Sequence, residues 1–507
     1  MGTNARCTSP AAWWVCRFRR AWPRPERWRY HSPQTKKRGR MRITVQADKA
    51  RYTMRGGIGA SWHAIEHGER KGAGSAWGGN PAPDDAAGWQ QLYRHADWLG
   101  LNWIRAEIEQ RSYEAQRGVF TWDSLDMQAL YRILDYCQSR DVDVMLQQMW
   151  GNVEWNKYPD VDALHSAPHD VAVYAESLAK LVEHLVRTRG YTCVKWLCIN
   201  NEPGFHFSWW QGYGKQPLSI TPGLKATRAA LDARGLNVPI VGPDYTGMGW
   251  ATKDIDFDDY IGAYDLHTYL EHFRLMPPGQ SEGEKVMAEW VKYANARGKP
   301  FFLTEYGAMQ FGWLGNHPGP GTYLASLKNL EIILRGLSAG VEAFNRWSFV
   351  NRGDLDGQWQ LVDTWDTAND RLLQTFVPHA NAYYFFGAIA RFLRKYSTVL
   401  TTHVDGVFDG WQQYVLSEAW RDADGHVTVV VLNTTEQDEP IELVLEGHDG
   451  RPLFKYQLTE AIRNRRDARL DPAPVNGAIN EIVPGFSVSV YSTRRIGHEE
   501  LANHQRS

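Results

Sequence analysis

The feature that most constrains this chain is a short apolar run, of the length of a β-strand, that recurs eight times between residues 56 and 347. Each run is bounded by turn formers such as Gly, Asn or Pro, as is typical of a buried strand. Segments with helical spacing of apolar residues, or long enough to hold a helix, separate most neighbouring runs. Eight strands alternating with helices predict a (β/α)8 TIM barrel, an α/β fold around a parallel sheet. The runs end near residues 63, 105, 149, 202, 243, 267, 305 and 347.

The main alternative to a barrel is a doubly wound open sheet, which also alternates strands with helices. A glycine-rich phosphate loop often follows the first strand of such a sheet, and none follows the first run here. We therefore expect the closed barrel.

Two of the eight runs lead into a glutamate: the fourth into Glu202 and the seventh into Glu305. A glutamate at the end of a buried strand is poorly placed for packing, but the carboxyl ends of barrel strands converge on one face, where chemistry takes place. Two carboxyl groups there can hydrolyse an acetal, because one protonates the leaving oxygen while the other attacks the anomeric carbon. The pair therefore predicts cleavage of glycosidic bonds.

Composition narrows the class of protein further. With 507 residues, 43% of them hydrophobic, the chain is long enough for more than one globular domain. A net charge of −2 argues against a nucleic-acid partner for the folded part. The 23 Trp and 23 Tyr residues suit a carbohydrate partner, because flat aromatic faces stack on sugar rings, although tryptophan is also common in cores.

No metal site is indicated by the spacing of His and Cys. The five cysteines are scattered without the pattern of metal ligands. Hydrolysis by two carboxyl groups needs no metal, so we expect neither a metal nor a cofactor. The apolar segment at residues 11–16 is too short for a signal-peptide core or a membrane span. We therefore expect a cytoplasmic rather than a secreted protein, and we expect no membrane partner.

The composition and the pattern of apolar runs change along the chain, and these changes suggest domain boundaries. Residues 1–40 carry eleven Lys or Arg against one acid and predict a basic, disordered leader. We expect the barrel over residues 41–390. Short β-type runs between Gly, Asp and Asn turns predict an antiparallel β-sandwich over 391–495, which the strand near Arg42 could join. Residues 496–507 read as a polar tail.

Several motifs fall on the predicted strands in a fixed order. They are the strand-two segment Gly100-Leu101-Asn102-Trp103-Ile104-Arg105, Asn201-Glu202-Pro203 after strand four, His267-Thr268-Tyr269 on strand six, Thr304-Glu305-Tyr306-Gly307 on strand seven, and Trp347 on strand eight. Together they resemble clan A of the retaining glycoside hydrolases, and the resemblance covers roughly residues 50–390.

The resemblance implies a role for each of the central residues. Glu202 would be the general acid/base, and Glu305 would be the nucleophile. Arg105 would support the nucleophile, Tyr269 would bond to it, and Asn201 would hold the sugar 2-hydroxyl.

Four further residues are expected to bind the substrate. His267 shares the strand-six motif, and Trp347 lies where the clan often has a tryptophan that serves as a sugar platform. His63 ends the first strand, and Trp150 lies on a predicted loop at the catalytic face. The other tryptophans predicted on such loops, as walls of a sugar-binding cleft, are Trp155, Trp209, Trp210 and Trp313.

Some of these residues have a structural role as the alternative. Arg105 could form a buried ion pair with Glu107 or Asp265. His63 and His267 could be core histidines whose hydrogen bonds are satisfied within the fold. The strand-end carboxylates interpreted as structural are Asp244 and Glu342.

The motifs leave the family open among families 5, 30 and 39 of the clan. Family 5 usually has a His after strand three, where residues 147–152 of this chain read Gln-Gln-Met-Trp-Gly-Asn. The trailing β-sandwich and the glycine-rich first strand at residues 56–59 are similar to families 30 and 39 instead.

The expected function is that of a retaining β-glycosidase with a carbohydrate substrate. Long inserts after strand one (residues 68–83) and strand four (residues 205–219) could wall one end of the cleft, which favours exo action on oligosaccharides or glycosides. The alternatives are an endo-β-glucanase or mannanase with an open groove, a transglycosylase, and a non-catalytic carbohydrate-binding pseudo-enzyme. The sugar, the linkage and the oligomeric state stay open.

Overall fold

The structure of the chain is a computed structural model, which describes ten segments. They are residues 40–65, 78–204, 208–246, 255–269, 282–308, 321–352, 359–405, 415–459, 473–475 and 479–496. Nearly all of the expected leader and polar tail lies outside the described residues, as do Trp313 and part of each long insert.

A closed barrel of eight parallel strands forms the centre of the protein. The first strand of the chain, β1 (Met41–Thr53), belongs to a separate sheet, and the next eight strands make the barrel. They are β2 (Ile58–His63), β3 (Trp103–Ile108), β4 (Asp143–Gln148), β5 (Val194–Cys198), β6 (Ile240–Thr246), β7 (Ala263–Thr268), β8 (Phe301–Tyr306) and β9 (Phe344–Arg346). The predicted α/β barrel and its strand order are thereby confirmed.

Helices connect the strands on the outside of the barrel. They are α1 (Ala86–Leu99), α2 (Gln110–Tyr113), α3 (Leu125–Ser139), α4 (Val171–Glu183), α5 (Thr221–Ala233), α6 (Glu282–Asn295), α7 (Tyr323–Ala339) and α8 (Ala382–Ala390). Local sequence sets their ends: the Asp85 side chain accepts the Gly88 N–H at the start of α1, and Gly100 ends it in the left-handed region at φ 67°. Among the described residues none of these helices is long and apolar enough to cross a membrane.

The interior of the barrel has an apolar floor and a polar layer beside it. The floor residues are Trp103, Met145, Cys198, Val241, Ala263, Phe302 and Ala343. Side chains two positions further along a strand point to the same face, so the next inward layer can be read from the sequence. Its members are Arg105, Gln147, Asp265, Thr304 and Asn345. The floor thus closes one end of the barrel and leaves polar groups facing the other.

A two-stranded ribbon of β10 (Val362–Asp366) and β11 (Arg371–Pro378) follows the barrel, and a nine-stranded sheet completes the fold. The remaining strands of that sheet are β12 (Thr398–Asp405), β13 (Val415–Arg421), β14 (Val427–Asn433), β15 (Glu439–Glu446), β16 (Leu453–Leu458), β17 (Ala473–Val475), β18 (Ile479–Val483) and β19 (Ser487–Ser492). Their order is β17-β16-β19-β14-β13-β12-β1-β15-β18, antiparallel except for the β1–β15 pair. The strand near Arg42 therefore does pair with the C-terminal strands, so the barrel begins after it rather than at residue 41.

The nine-stranded sheet curls over itself and encloses a core of its own. The hydroxyl of Tyr491 on β19 donates to Glu481 on β18 at 3.0 Å, although the two strands are far apart in the sheet order. Val429 and Val431 of β14 face this inner core, whereas Val430 points to the barrel side. Every residue of β14 is buried because both of its faces are covered. This curled sheet is the region predicted as a β-sandwich, and it braces the outside of the barrel.

Candidate active site

The two glutamates lie at the carboxyl ends of β5 and β8, on the side of the barrel away from the apolar floor. Glu305 belongs to β8 itself, whereas Glu202 lies beyond the end of β5 with its backbone in the left-handed region at φ 44°. The N–H of Asn201 donates to the carbonyl of Met149 at 3.0 Å, which ties this turn to the neighbouring strand end. Glu202 as a whole residue is 8% exposed, and Glu305 is 5% exposed.

The carboxyl groups of Glu202 and Glu305 face each other across His267. One oxygen of each glutamate lies within 4.8 Å of one oxygen of the other. His267 Nδ1 is 2.8 Å from Glu202 and 3.8 Å from Glu305. The sequence prediction that these residues converge on one site is therefore matched by their positions.

Glu305 is held by two charge-assisted hydrogen bonds. Arg105 Nη1 donates to Oε2 at 2.6 Å, and the Tyr269 hydroxyl donates to Oε1 at 2.5 Å. Burial raises the pKa of the Glu305 carboxyl to about 7, even though His267 and Arg105 oppose that shift. Two fixed donors orient the carboxylate, while its burial makes the negative charge costly.

Arg105 is fully buried and links several polar groups of the site. Besides Glu305, it donates from Nη1 to Glu107 at 2.5 Å and from Nη2 to the Asn201 side-chain oxygen at 2.7 Å. The structural ion pair with Glu107 and the contact with Glu305 therefore exist together rather than as alternatives. Asp265 instead accepts the Thr304 hydroxyl at 2.7 Å.

The His267 ring lies between the carboxyl groups of Glu202 and Asp244. His267 Nδ1 lies 2.8 Å from a Glu202 oxygen, and Nε2 lies 3.0 Å from Asp244, whose ionised carboxylate can only accept. Burial alone would lower the pKa of His267, but the charges of Asp244 and Glu305 outweigh it and raise the pKa well above its usual range. His267 is therefore a buried, positively charged histidine whose hydrogen bonds are satisfied. It also contacts Glu202, so it belongs to the site.

His63, at the end of β2, is buried beside the same cluster. Its Nδ1 is hydrogen-bonded to Glu107, while its Nε2 has no partner among the described residues. The Trp347 ring meets it edge-to-face with the ring centres 4.9 Å apart. Burial raises the pKa of Glu107, but His63 and Arg105 outweigh burial and lower it, so this carboxyl is ionised.

Aromatic and apolar side chains form the wall of the site. Trp347 and Trp150 belong to one buried cluster, against which Tyr269 and Trp209 pack. The rings of Trp150 and Trp209 are 5.2 Å apart. The other members of this wall are Ile65, Met149, Trp359 and Leu164.

One of the tryptophans predicted on this wall, Trp210, lies elsewhere. Trp210 belongs to the main hydrophobic core, where its ring packs against Tyr174 with the ring centres 5.7 Å apart, so its interpretation as a cleft residue is wrong. The indole of Trp155 donates to the carbonyl of Glu114 at 3.3 Å. The loop of Trp210 folds back onto the outer helix α4, which a loop position in the sequence does not reveal.

Sequence reasoning missed three residues of the site. Trp359, in the segment after β9, packs against Tyr269 with the ring centres 5.2 Å apart. Gln147 occupies the strand-three position and donates to Asp244 at 3.3 Å and accepts from Arg105 at 3.3 Å. Asp244 was predictable as a carboxylate at a strand end, yet no motif around it signalled a role.

The fold and the site together define the class of protein. A (β/α)8 barrel with two buried glutamates at the ends of its fourth and seventh strands is the arrangement of a clan A glycoside hydrolase. The family model Cellulase (glycosyl hydrolase family 5) matches residues 59–332, which is more than half of the chain. The chain belongs to glycosyl hydrolase family 5. The sequence motifs had left families 5, 30 and 39 open.

Solved structures of other families of the clan share the whole fold. The catalytic domain of a GH30 xylanase C from Talaromyces cellulolyticus is 17% identical, with a TM-score of 0.62 over 89% of this chain and 99% of that one. An endo-beta1,6-glucanase is 15% identical, with a TM-score of 0.61 over 89% and 94%. A GH39 beta-xylosidase from Caulobacter crescentus is 13% identical, with a TM-score of 0.57 over 89% and 99%. No curated protein sequence matches the chain.

Proposed function

We propose that this glycoside hydrolase cleaves β-glycosidic bonds with retention of configuration, with Glu202 as the acid/base and Glu305 as the nucleophile. The observation that carries the proposal is the approach of the two carboxyl groups to within 4.8 Å. Retaining enzymes place these groups about 5–5.5 Å apart, whereas inverting enzymes need about 6.5–9.5 Å to admit a water molecule between carboxylate and sugar.

The reaction runs in two displacements. Glu202 gives its proton to the leaving oxygen as the bond from that oxygen to the anomeric carbon breaks, and Glu305 forms a covalent bond to the same carbon. Glu202, now a carboxylate, takes a proton from water, whose oxygen attacks the anomeric carbon and releases Glu305. The sugar leaves with its original configuration because it was inverted twice.

The surrounding residues have roles that fit this chemistry. Arg105 and Tyr269 hold the Glu305 carboxylate in a fixed orientation, since each donates to a different oxygen. The side-chain oxygen of Asn201 accepts from Arg105. Its amide nitrogen is therefore the atom that is left to donate to the sugar 2-hydroxyl. Trp347 and Trp150 offer flat apolar faces for a sugar ring.

His63 and His267 complete the proposed set of substrate-site residues. The Nε2 of His63 is buried without a partner among the described residues, so a sugar hydroxyl is a suitable one. His267 contacts Glu202 directly and therefore acts on the substrate through that glutamate.

We further propose exo action on oligosaccharides or glycosides. Part of the insert after strand four packs onto the loop after strand three: the rings of Trp209 and His165 stack with centres 4.4 Å apart, and Ala167 N–H donates to Gln211. This packing gives the cleft a wall on that side. Endo action is the second candidate, because two of the similar structures are named a xylanase and an endo-glucanase.

The test is hydrolysis of aryl β-glycosides of glucose, xylose, galactose, mannose, fucose and arabinose. The wild type is compared with Glu305→Ala, and azide is added to the variant. We expect one or more glycosides to be cleaved, Glu305→Ala to be inactive, and azide to restore cleavage with an α-glycosyl azide as product, because azide enters from the face that Glu305 has vacated.

The matched control is Glu342→Ala, since Glu342 is also a buried strand-adjacent carboxylate but bonds to Arg55. It should keep wild-type activity. Cleavage of xylan, β-glucan or mannan without cleavage of any aryl glycoside would favour the endo alternative. A Glu305→Ala protein as active as the wild type would refute the assignment.

A further inference from the structure

The Asp244 carboxylate contacts the residues that hold both candidate glutamates. Asp244 lies within β6 and is 1% exposed. Oδ1 accepts from His267 Nε2 at 3.0 Å. Oδ2 accepts the main-chain N–H of Glu202 and the side-chain amide of Gln147, both at 3.3 Å, and it lies 3.7 Å from Arg105 Nη2. One buried carboxylate therefore contacts both the residues around Glu202 and Arg105, which holds Glu305.

Keeping a carboxylate at this position is costly for the fold. Asp244 has φ 59°, in the left-handed region that non-glycine residues rarely adopt. Its own N–H is fixed by Asp265 Oδ1 at 2.8 Å. A non-glycine residue in this backbone region costs free energy, and a buried charge is tolerated only with several partners. Strain and buried charge at one residue are more typical of a functional site than of core packing.

We propose that Asp244 is a positioning residue for the glycosidase reaction. Through His267 it holds the Glu202 carboxyl in place, and through its bond to the Glu202 main chain it fixes the turn that carries this glutamate. It does not touch the substrate. The inference rests on the proposed roles of Glu202 and Glu305, and it replaces the interpretation of Asp244 as merely structural.

The chemistry of the contacts shows why a carboxylate is needed. Asp244 Oδ2 faces donors only, and Oδ1 faces the protonated Nε2 of His267. The isosteric Asp244→Asn replaces one oxygen by an amide nitrogen, which can only donate. If that nitrogen takes the place of Oδ2, it faces the donors of Glu202 and Gln147; if it takes the place of Oδ1, it faces only His267 Nε2. The second arrangement brings fewer donors face to face, and it requires His267 Nε2 to lose its proton. The substitution thus keeps the shape of the residue and converts the imidazolium to a neutral ring.

The charges around His267 determine how complete that change is. Burial and the nearby Asp244 raise the pKa of Asp265 well above its usual range, which weakens the negative charge that Asp265 adds near the ring. The groups that face the ring are Glu202 at 2.8 Å, Asp244 at 3.0 Å and Glu305 at 3.8 Å, with Arg105 and Asp265 behind Asp244. Without the Asp244 carboxylate, the ring still has the carboxyl groups of Glu202 and Glu305 beside Nδ1 but loses its acceptor on Nε2.

The first experiment follows the protons of His267 by ¹⁵N NMR with selectively labelled histidine, assigned with a His267→Gln spectrum. In the wild type we expect both ring nitrogens to be protonated from pH 5 to 9. In Asp244→Asn we expect His267 to titrate to its neutral form within that range. The proposal is overturned if His267 is neutral in the wild type at pH 7, or if it stays doubly protonated in Asp244→Asn. The wild-type spectrum can overturn the proposal even when the variant does not fold.

The second experiment compares kcat and KM for the same two proteins. We expect kcat to fall about 100-fold in Asp244→Asn, as displacement of a catalytic group by roughly 1 Å does, with a much smaller change in KM. The control is Glu342→Gln, a buried carboxyl that lies before β9 at the opposite end of the barrel, and it should leave kcat unchanged. An unchanged kcat in Asp244→Asn would refute the positioning role.

The two experiments separate this proposal from the proposed function. If the wild type cleaves no glycoside, the proposed function fails, yet the NMR spectra still report whether Asp244 holds His267 as an imidazolium. If the wild type is active and Asp244→Asn is equally active, the proposed function stands and the positioning role fails.

Discussion

Replacing Tyr269 by phenylalanine removes one of the two donors that hold Glu305, without changing the shape of the ring. The Tyr269 hydroxyl donates to Glu305 Oε1 at 2.5 Å, and this bond stabilises the ionised form of the carboxyl. A hydrogen bond to a charged group contributes about 1.5–3 kcal/mol. Since one pKa unit corresponds to about 1.4 kcal/mol, its loss should raise the pKa of Glu305 by about 1–2 units.

The sign of the effect on activity follows from the proposed role of Glu305. The nucleophile attacks only when ionised, and burial already raises its pKa to about 7. In Tyr269→Phe a smaller fraction is ionised at any given pH, so the acid limb of the kcat/KM profile should move upward by about 1–2 pH units. At pH 7 the variant should retain about 2–20% of wild-type kcat/KM.

The assay is the pH dependence of kcat/KM on an aryl glycoside between pH 4 and 10. The matched control is Tyr264→Phe: Tyr264 lies on β7, the strand that Tyr269 directly follows, and its hydroxyl also donates to a carboxylate at 2.5 Å, but that carboxylate is Asp258 outside the barrel. The control should keep the wild-type profile. An acid limb that stays in place in Tyr269→Phe would refute the reasoning about Glu305.

Three further predictions concern the site and the fold. His63→Ala should raise KM about tenfold with a smaller change in kcat, as loss of one substrate hydrogen bond does; an unchanged KM would remove His63 from the substrate site. Trp103→Ala, in the barrel floor, should destabilise the protein by about 3–5 kcal/mol in denaturant unfolding; a loss below about 1 kcal/mol would mean that the floor is not tightly packed. Burial raises the pKa of Glu418 to about 7 despite its ion pair with Arg51, so the folded state holds this proton more tightly than the unfolded state. The resulting stabilisation, about 3 kcal/mol, should be present below the unfolded pKa and lost as the pH rises through 7. Glu418→Gln should flatten that pH dependence of unfolding, and a slope equal to that of the wild type would contradict it.

The parts of this molecule that the sequence predicts are those set by local pattern. The barrel follows from eight runs whose apolar character does not depend on distant residues, and strand ends such as His63 and Glu305 were placed correctly. Two exceptions show the limit: β3 continues to Ile108 beyond Arg105, and Glu202 lies past the end of β5. Strand boundaries depend on tertiary hydrogen bonds that periodicity does not contain.

What the sequence does not show is which residues meet across the barrel. Asp244 and Glu342 look alike as carboxylates near strands, yet one accepts from His267 inside the barrel and the other pairs with Arg55 at its opposite end. The same applies to Trp210, whose loop folds onto an outer helix rather than into the cleft. Contacts of this kind depend on loop conformation and on the register of distant strands.

The central claim is that Glu202 and Glu305 are close enough for a covalent mechanism, and the configuration of the first product tests it most directly. The measurement is ¹H NMR of the anomeric proton during early hydrolysis of a β-glycoside, before mutarotation. A retaining enzyme with carboxyl oxygens within 4.8 Å releases the β-anomer first. First release of the α-anomer would mean that water attacks the sugar directly and would contradict the account.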